Sequence, residues 1–329
     1  MTVGRRFFLF AFQVRLKVER VVPNPLLDPS QTSGLGTTRS TLLIIHDPRC
    51  AEYGSAERPE QPARVLGTAS YLSGKHPEWV WRAPSAPVPD STLLLAHTAA
   101  HLRRLEQPRD FDGDTPYLPD IAAHARRAVG ASLEAAQHAL SRGGPVFSLM
   151  RPPGHHATAG HAMGFCYLNQ VAVTALSAQK HHSARRVAVW DFDAHHGNGT
   201  EAILHGREGF LYCSVHQYPG YPGTGTHDRA NCRNWPVAPE TPREDHLEAL
   251  RASWDAVVAF RPDLVLVSAG FDAYARDPIT SMTLESVDFA ALGAWIREEG
   301  LPTAAILEGG YSPDLPKLVE AFLAAWVHE

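Results

Sequence analysis

Short apolar runs that do not alternate with polar residues constrain this chain most. Residues 42–45, 146–150, 187–190, 210–215, 264–268 and 304–307 are such runs, each four to six residues long. A strand with one face in water alternates; a run apolar on both faces belongs to a strand covered on both sides, as in a parallel sheet between layers of helices. Between the runs, apolar residues recur at three- and four-residue spacing over 121–140, 169–179, 244–260 and 286–299, which predicts helices. Strand and helix therefore alternate, and the predicted class is α/β with a mainly parallel sheet.

Upstream, residues 14–18 alternate apolar positions with Arg15 and Lys17, a period-two pattern that predicts a short strand with one wet face. Residues 23–40 are rich in Pro, Gly, Ser and Thr and are expected to be a linker. The predicted organisation is an N-terminal extension over 1–40 and one domain over 41–329. With 44% hydrophobic and 20% charged residues, the chain has material for a large core and cannot be disordered throughout. A net charge of -5 provides no basic field for nucleic acid, so no such partner is expected.

No apolar run nears the ~20 residues of a membrane helix, and no membrane partner is expected. Arg5 and Arg6 precede an apolar stretch over 7–12 that is shorter than the ~7 to 15 residues usual for an export signal, with no small-residue cleavage site after it. Cys50, Cys166, Cys213 and Cys232 form no CxxC pair, which points to a reducing compartment without disulfides. A cytoplasmic location is the expectation.

The polar residues that stand out follow the apolar runs. In open parallel sheets ligands bind beyond the carboxyl ends of the strands, so these segments are expected to converge on one crevice. The densest is Asp191-Phe192-Asp193-Ala194-His195-His196-Gly197-Asn198-Gly199-Thr200. Asp193 and His195, two apart on extended backbone, project to one side and could share a metal ion. One Asp-x-His alone would be an ordinary polar turn; so many acidic and imidazole groups beside two glycines are not. A third ligand should come from another strand end, and Asp272, after the run 264–268 and Gly270, is the candidate.

Two carboxylates, one imidazole and an open position describe a catalytic zinc site, and the two negative charges make a separate general base valuable. The pair His155-His156, in Arg151-Pro152-Pro153-Gly154-His155-His156-Ala157, can supply it: one imidazole shuttles the proton, and the other can be held charged by a carboxylate, for which Asp191 is available. Asp191 could equally be an acceptor for backbone donors. Tyr311, in Glu308-Gly309-Gly310-Tyr311, could donate to an oxyanion, although Gly-Gly-Tyr alone is commonplace.

Together, these segments with Gly164-Phe165-Cys166-Tyr167-Leu168-Asn169 and Asp277-Pro278 resemble the histone deacetylase family, in order from Ala56-Glu57-Arg58-Pro59-Glu60 to Tyr311. The resemblance implies an arginase/deacetylase fold, a single domain with a central eight-stranded parallel sheet flanked by helices. It implies zinc at Asp193, His195 and Asp272, His156 as general base and acid, His155 as electrostatic partner held by Asp191, and Tyr311 as the donor that polarises the acetyl carbonyl. Phe165 and Tyr221, with Gly164, resemble the walls of the acyl-lysine tunnel, and Asp114 falls where the family holds the substrate backbone. A structural potassium ion at the Asp191 side chain and carbonyls around Asp193, His195 and Ser214 is also implied. Asn198 stands where class I members have an Asp, the class II pattern. The segment 56–60 lacks the histidine of the family's His-Pro-Glu motif, a structural element.

Three functions fit: an acyl-lysine deacetylase acting on proteins or peptides, an acetylpolyamine amidohydrolase acting on small acetylated amines, or a binding protein that kept the fold and lost the reaction. In the polyamine-specific eukaryotic branch a Glu follows the Asp-Pro pair, whereas Ile279 stands here, which favours acyl-lysine. No damaged ligand supports the binding protein, and the two-metal motifs of the arginase branch are absent. A homo-oligomer is compatible with the sequence.

Overall fold

The middle strands of the sheet are apolar on both faces because helices cover both. A computed structural model describes residues 41–327, apart from 86, 143 and 183, so the strand expected at 14–18 and the linker at 23–40 lie outside the described residues. Eight strands form one sheet: β1 (Leu43–Ile45), β2 (Val80–Arg82), β3 (Val146–Ser148), β4 (Val187–Asp191), β5 (Phe210–Gln217), β6 (Cys232–Val237), β7 (Leu264–Ala269) and β8 (Thr303–Leu307). Their order is β2-β1-β3-β8-β7-β4-β5-β6, and every pairing is parallel. All residues of β3, β4, β7 and β8 are buried.

The crossovers carry helices α1 (Ala63–Lys75), α2 (Asp90–Leu93), α3 (Ala99–Leu105), α4 (Ile121–Arg142), α5 (Gln170–His181), α6 (Asn198–Leu204), α7 (Arg243–Ala259), α8 (Ser286–Glu299) and α9 (Leu315–Val327). The six apolar runs of the sequence form β1, β3, β4, β5, β7 and β8, and the four predicted helices are α4, α5, α7 and α8. The two remaining strands are the sheet's edges. β2 is exposed at Val80 and Arg82, and β6 alternates burial and contains Pro236, tolerable only where one side of the strand has no partner. Neither shows the run of apolar residues that marks a covered strand.

The row β3-β8-β7-β4-β5 is unbroken in the sheet. The segments 151–157 and 191–200 and those with Tyr221, Asp272 and Tyr311 each leave the carboxyl end of one of these five neighbours, so parallel topology gathers them at one edge. The four cysteines are free and buried. Among the described residues, no helix is long and apolar enough to cross a membrane.

Buried histidines give the fold an acid limit. His97 accepts a hydrogen bond at Nε2 from the Asn169 backbone N–H at 2.9 Å, and His246 is buried on α7. Burial, aided by His101, pushes His97 down to about 3; burial pushes His246 down to about 4, opposed by Asp288. Above the unfolded value near 6.5 neither state binds the proton; below it the unfolded chain takes up protons that the folded chain refuses. Stability is therefore expected to fall by about 1.4 kcal/mol per pH unit for each histidine as pH drops from ~6 to ~4.5. Urea midpoints across this range should show the decline, and His246→Leu should remove one proton's share; an unchanged slope in that variant would count against it.

Candidate active site

Beyond β4 the chain does not stay extended as expected but bends over 193–195, and the bend still brings Asp193 and His195 together with Asp272, which arrives from the end of β7, the adjacent strand. Their ligand atoms lie within 4.8 Å of one another. His195 Nδ1 is 3.2 Å from Asp193 Oδ1 and 2.8 Å from Asp272 Oδ2. Backbone donors fix both carboxylates: His195 N donates to Asp193 Oδ1 at 2.8 Å, Gly309 N to Asp193 Oδ2 at 2.7 Å and Ala194 N to Asp272 Oδ1 at 2.8 Å. Gly309 lets the β8 loop come this near, since a Cβ there would stand 2.3 Å from Asp272 Oδ2 and 2.5 Å from Asp193 Oδ2.

Burial disfavours the charge of both carboxylates, yet the positive charge of His155 and His195 holds Asp193 low, while burial and Asp193 raise Asp272. Burial likewise opposes charge on His195, but Asp272 and Asp193 outweigh it and draw the imidazole to its protonated form. Such a cluster demands positive charge at its centre, and a divalent cation meets that demand in place of the proton. Two carboxylates and one imidazole also form a donor set that suits zinc, so these residues fit a metal ion.

The loop after β3 brings in the tandem histidines, both buried, with ring centroids 4.0 Å apart. His155 Nδ1 lies 3.2 Å from Asp191 Oδ2, and the Tyr212 hydroxyl donates to the same oxygen at 3.0 Å. Burial opposes charge on His155, but Asp193 and Asp191 prevail and push it up to about 10. His156 Nδ1 lies 2.9 Å from Asn198 Oδ1 instead, a neutral partner. Burial and the charges of His155 and His195 hold His156 well below the usual imidazole range. Two adjacent residues of one type thus have opposite electrostatics: a cation behind and a neutral imidazole whose centroid is 6.0 Å from that of His195.

Tyr311, on the loop after β8, stands edge-to-face with Phe165, centroids 5.8 Å apart. Burial keeps its phenol protonated, raising it well above the ordinary value. Tyr221 meets His156 edge-on at 5.0 Å and His195 at 6.3 Å. Gly164 is the floor of this contact, because a Cβ there would stand 2.6 Å from His156 Cδ2 and 2.9 Å from Tyr221 Cε1. The loop carrying Tyr221 is pinned by His196 Nδ1, 2.8 Å from Thr224 Oγ1, and by His216 Nε2, 3.0 Å from the Gly225 carbonyl.

Asp114 lies on the exposed turn before Thr115, whose Oγ1 accepts from the Phe165 N–H at 3.1 Å. Ile279 is exposed, and its N–H donates to Asp277 Oδ1 at 3.1 Å. Ser214 is buried, with Oγ 2.8 Å from His216 Nδ1. Asp193, His195, Asp272, His155, His156, Asp191, Asn198, Gly164, Phe165, Tyr221 and Tyr311 thus come together, while Asp114 and Ile279 stand on the outer surface.

The sequence left several supporting residues without a role. Glu60 is buried and accepts from Arg151 Nη2 at 2.7 Å and from Arg64 Nη1 at 3.3 Å. Arg64 in turn donates to the carbonyls of Glu308 and Gly310, at 2.5 and 2.7 Å, which frames Gly309. Glu308 Oε2 accepts from the N–H groups of Gly154 and His155, at 2.6 and 3.2 Å, and Asp277 Oδ2 accepts from those of Tyr311 and Ser312, at 2.7 and 3.2 Å. Glu60, Arg151, Asp277 and Glu308 stand in segments that carry the resemblance, but their local signal, a charged residue beside glycine, proline or an apolar strand, marks surface turns as often as buried braces.

Residues 58–326 match the family model described as a histone deacetylase domain. Over 290 residues the chain is 38% identical to a probable deacetylase of Methanothermobacter thermautotrophicus, covering 83% of this chain and 86% of that protein. It is 33% identical over 307 residues to acetylpolyamine amidohydrolase 2 of Pseudomonas aeruginosa, covering 87% of this chain and 84% of that one. The crystal structure of the HDA15 HD domain matches with a TM-score of 0.79 at 29% identity, covering 87% of this chain and 91% of that chain.

The clearance at Gly309 yields a metal-binding prediction. Gly309→Ala should displace both carboxylates and weaken zinc affinity roughly 10- to 100-fold while leaving the circular dichroism unchanged. A chelator-competition titration reads the affinity; a value equal to the parent protein's would show that the carboxylates move aside freely.

Proposed function

The chain belongs to the histone deacetylase family, and on that premise we propose that it is a zinc-dependent deacetylase that removes acetyl or related acyl groups from the side-chain amine of lysine in proteins or peptides. The observation that supports this most is the meeting of the Asp193, His195 and Asp272 donors with one charged and one neutral histidine and a protonated phenol beneath two aromatic rings. Asp193, His195 and Asp272 would hold the zinc, which when bound supplies Lewis acidity toward water and the acyl oxygen.

The remaining work falls to side chains. Asn198 accepts from Nδ1–H of His156, which leaves Nε2 with its lone pair. His156 takes one proton of the attacking water at Nε2 as oxygen bonds to the acyl carbon, then returns it to the amine nitrogen as the C–N bond breaks, giving the carboxylic acid, which keeps the water's other proton until it ionises, and the free amine. His155, charged and paired with Asp191, stabilises negative charge growing in front of it. Tyr311 donates its hydroxyl proton in a hydrogen bond to the acyl oxygen as that charge develops. Phe165 and Tyr221 strip water from the aliphatic stem, Gly164 leaves room for it, and Asp114 on the rim accepts from the substrate backbone.

A potassium ion at the Asp191 side chain and the carbonyls around Asp193, His195 and Ser214 belongs to the same proposal. The exposed apolar Ile279 suits a peptide passing the rim better than a second ammonium group. The likeness to an acetylpolyamine amidohydrolase supports a second reading, in which small acetylated amines are the substrates.

Tyr311→Phe should keep fold and zinc and lower kcat by about 100- to 1,000-fold. Asp272→Ala should lose zinc itself, measured by metal analysis after dialysis. Specificity constants for an acetyl-lysine peptide against acetylputrescine and acetylspermidine decide between the two substrate classes: a polyamine preference overturns the first, and silence on all three overturns the enzymatic proposal.

A further inference from the structure

Asn198 is held at both ends of its amide. Oδ1 faces His156 Nδ1 at 2.9 Å, and Nδ2 donates to the thioether sulfur of Met163 at 3.4 Å. The two ends of a primary amide have nearly the same shape and opposite chemistry. With the carbonyl toward His156, the imidazole carries its proton on Nδ1 and keeps a lone pair on Nε2. With the amide turned over, the NH2 group faces Nδ1, the proton moves to Nε2, and the ring loses the acceptor that the reaction needs. A thioether accepts weakly and cannot donate, so it tolerates only the NH2 end.

The backbone that carries that sulfur is held in a tight turn. Met163 N donates to Cys166 O at 3.0 Å and Cys166 N to Met163 O at 2.9 Å, closing a tight two-residue turn over Gly164 and Phe165. Both central residues have positive φ, +55° and +65°, a combination that tight hairpin turns require and that Phe rarely adopts. The turn that presents Phe165 to Tyr311 therefore also fixes the residue that orients Asn198.

We propose that Met163 is a positioning residue that selects the His156 tautomer through the Asn198 amide. It rests on the reading of His156 as proton acceptor, but the tautomer is observable without turnover. The distinctive consequence is conditional. A carboxylate has two equivalent ends and no N–H to satisfy, so with Asp at position 198 the sulfur has nothing to orient.

The test combines imidazole 15N NMR with kinetics on the zinc-loaded full chain. Met163→Leu, which keeps the volume and removes the acceptor, should show a second His156 tautomer and a kcat lowered in proportion to its population, about twofold where the two tautomers are equally populated, at unchanged KM. Met163→Gln, whose own amide can turn to meet either end of Asn198, should leave the second tautomer in place. Adding Met163→Leu to Asn198→Asp should lower kcat by less than about 1.5-fold further, within the range of a lost packing contact alone. Equal losses in both backgrounds, or a single unaltered tautomer in Met163→Leu, overturn the proposal. If the parent protein cleaves no acyl amide the catalytic reading fails separately, and the tautomer spectra alone still decide the role of Met163.

Discussion

Asp191, Asp193, Asp272 and Glu308 are all buried at one end of a parallel sheet, and the rest of the molecule is arranged around supporting that charge. Unpaired carboxylates in such a place take up protons, and burial pushes Glu308 up to about 7 even with two backbone donors on one oxygen. Compensation comes from every side. Backbone N–H groups of Gly309, Ala194 and His195 approach Asp193 and Asp272, and His155 settles as a cation against Asp191. What remains uncompensated is the centre of the Asp193, His195 and Asp272 cluster, which suits a divalent ion.

A second buried cluster, of opposite sign, holds the loops that make this possible. Arg151 and Arg64, both buried, share Glu60, and through them the loop after β3 is joined to the loop after β8. Truncating Glu60 would leave two guanidinium groups without their carboxylate, the costly way to break a buried ion pair. The segment Arg58-Pro59-Glu60 therefore belongs to the site although it touches none of the reacting groups: it sets where Gly309 and the histidine pair stand.

The centre of the fold was legible because physics there leaves few choices. A strand covered on both faces must be apolar throughout, and β4, β7 and β8 were recognisable from that alone. β2 and β6 lacked the mark because edge strands obey a weaker rule, and α9 went unread although its apolar residues repeat at helical spacing. At the site, residues clustered along the chain, such as 191–198 and 151–157, were conspicuous. Arg64 and Tyr212 were not, and Glu60 and Asp277, though inside recognised segments, showed no role, because each acts through a contact distant in sequence, and Met163 reads as a core side chain until its sulfur is found beside an amide.

The unbroken row β3-β8-β7-β4-β5 also spreads the site's parts over about 19 Å of sheet, four spacings of roughly 4.8 Å. The cluster that fits a metal ion hangs from the inner strands β4 and β7, whereas Tyr221 comes from the loop beyond the outer strand β5, and Asp114 lies between α3 and α4. Change on those outlying loops reshapes the entrance without moving the atoms at the centre. A scaffold built this way can exchange one amide-bearing substrate for another by altering its margins, which is how one sheet could serve both a peptide and a polyamine over evolutionary time.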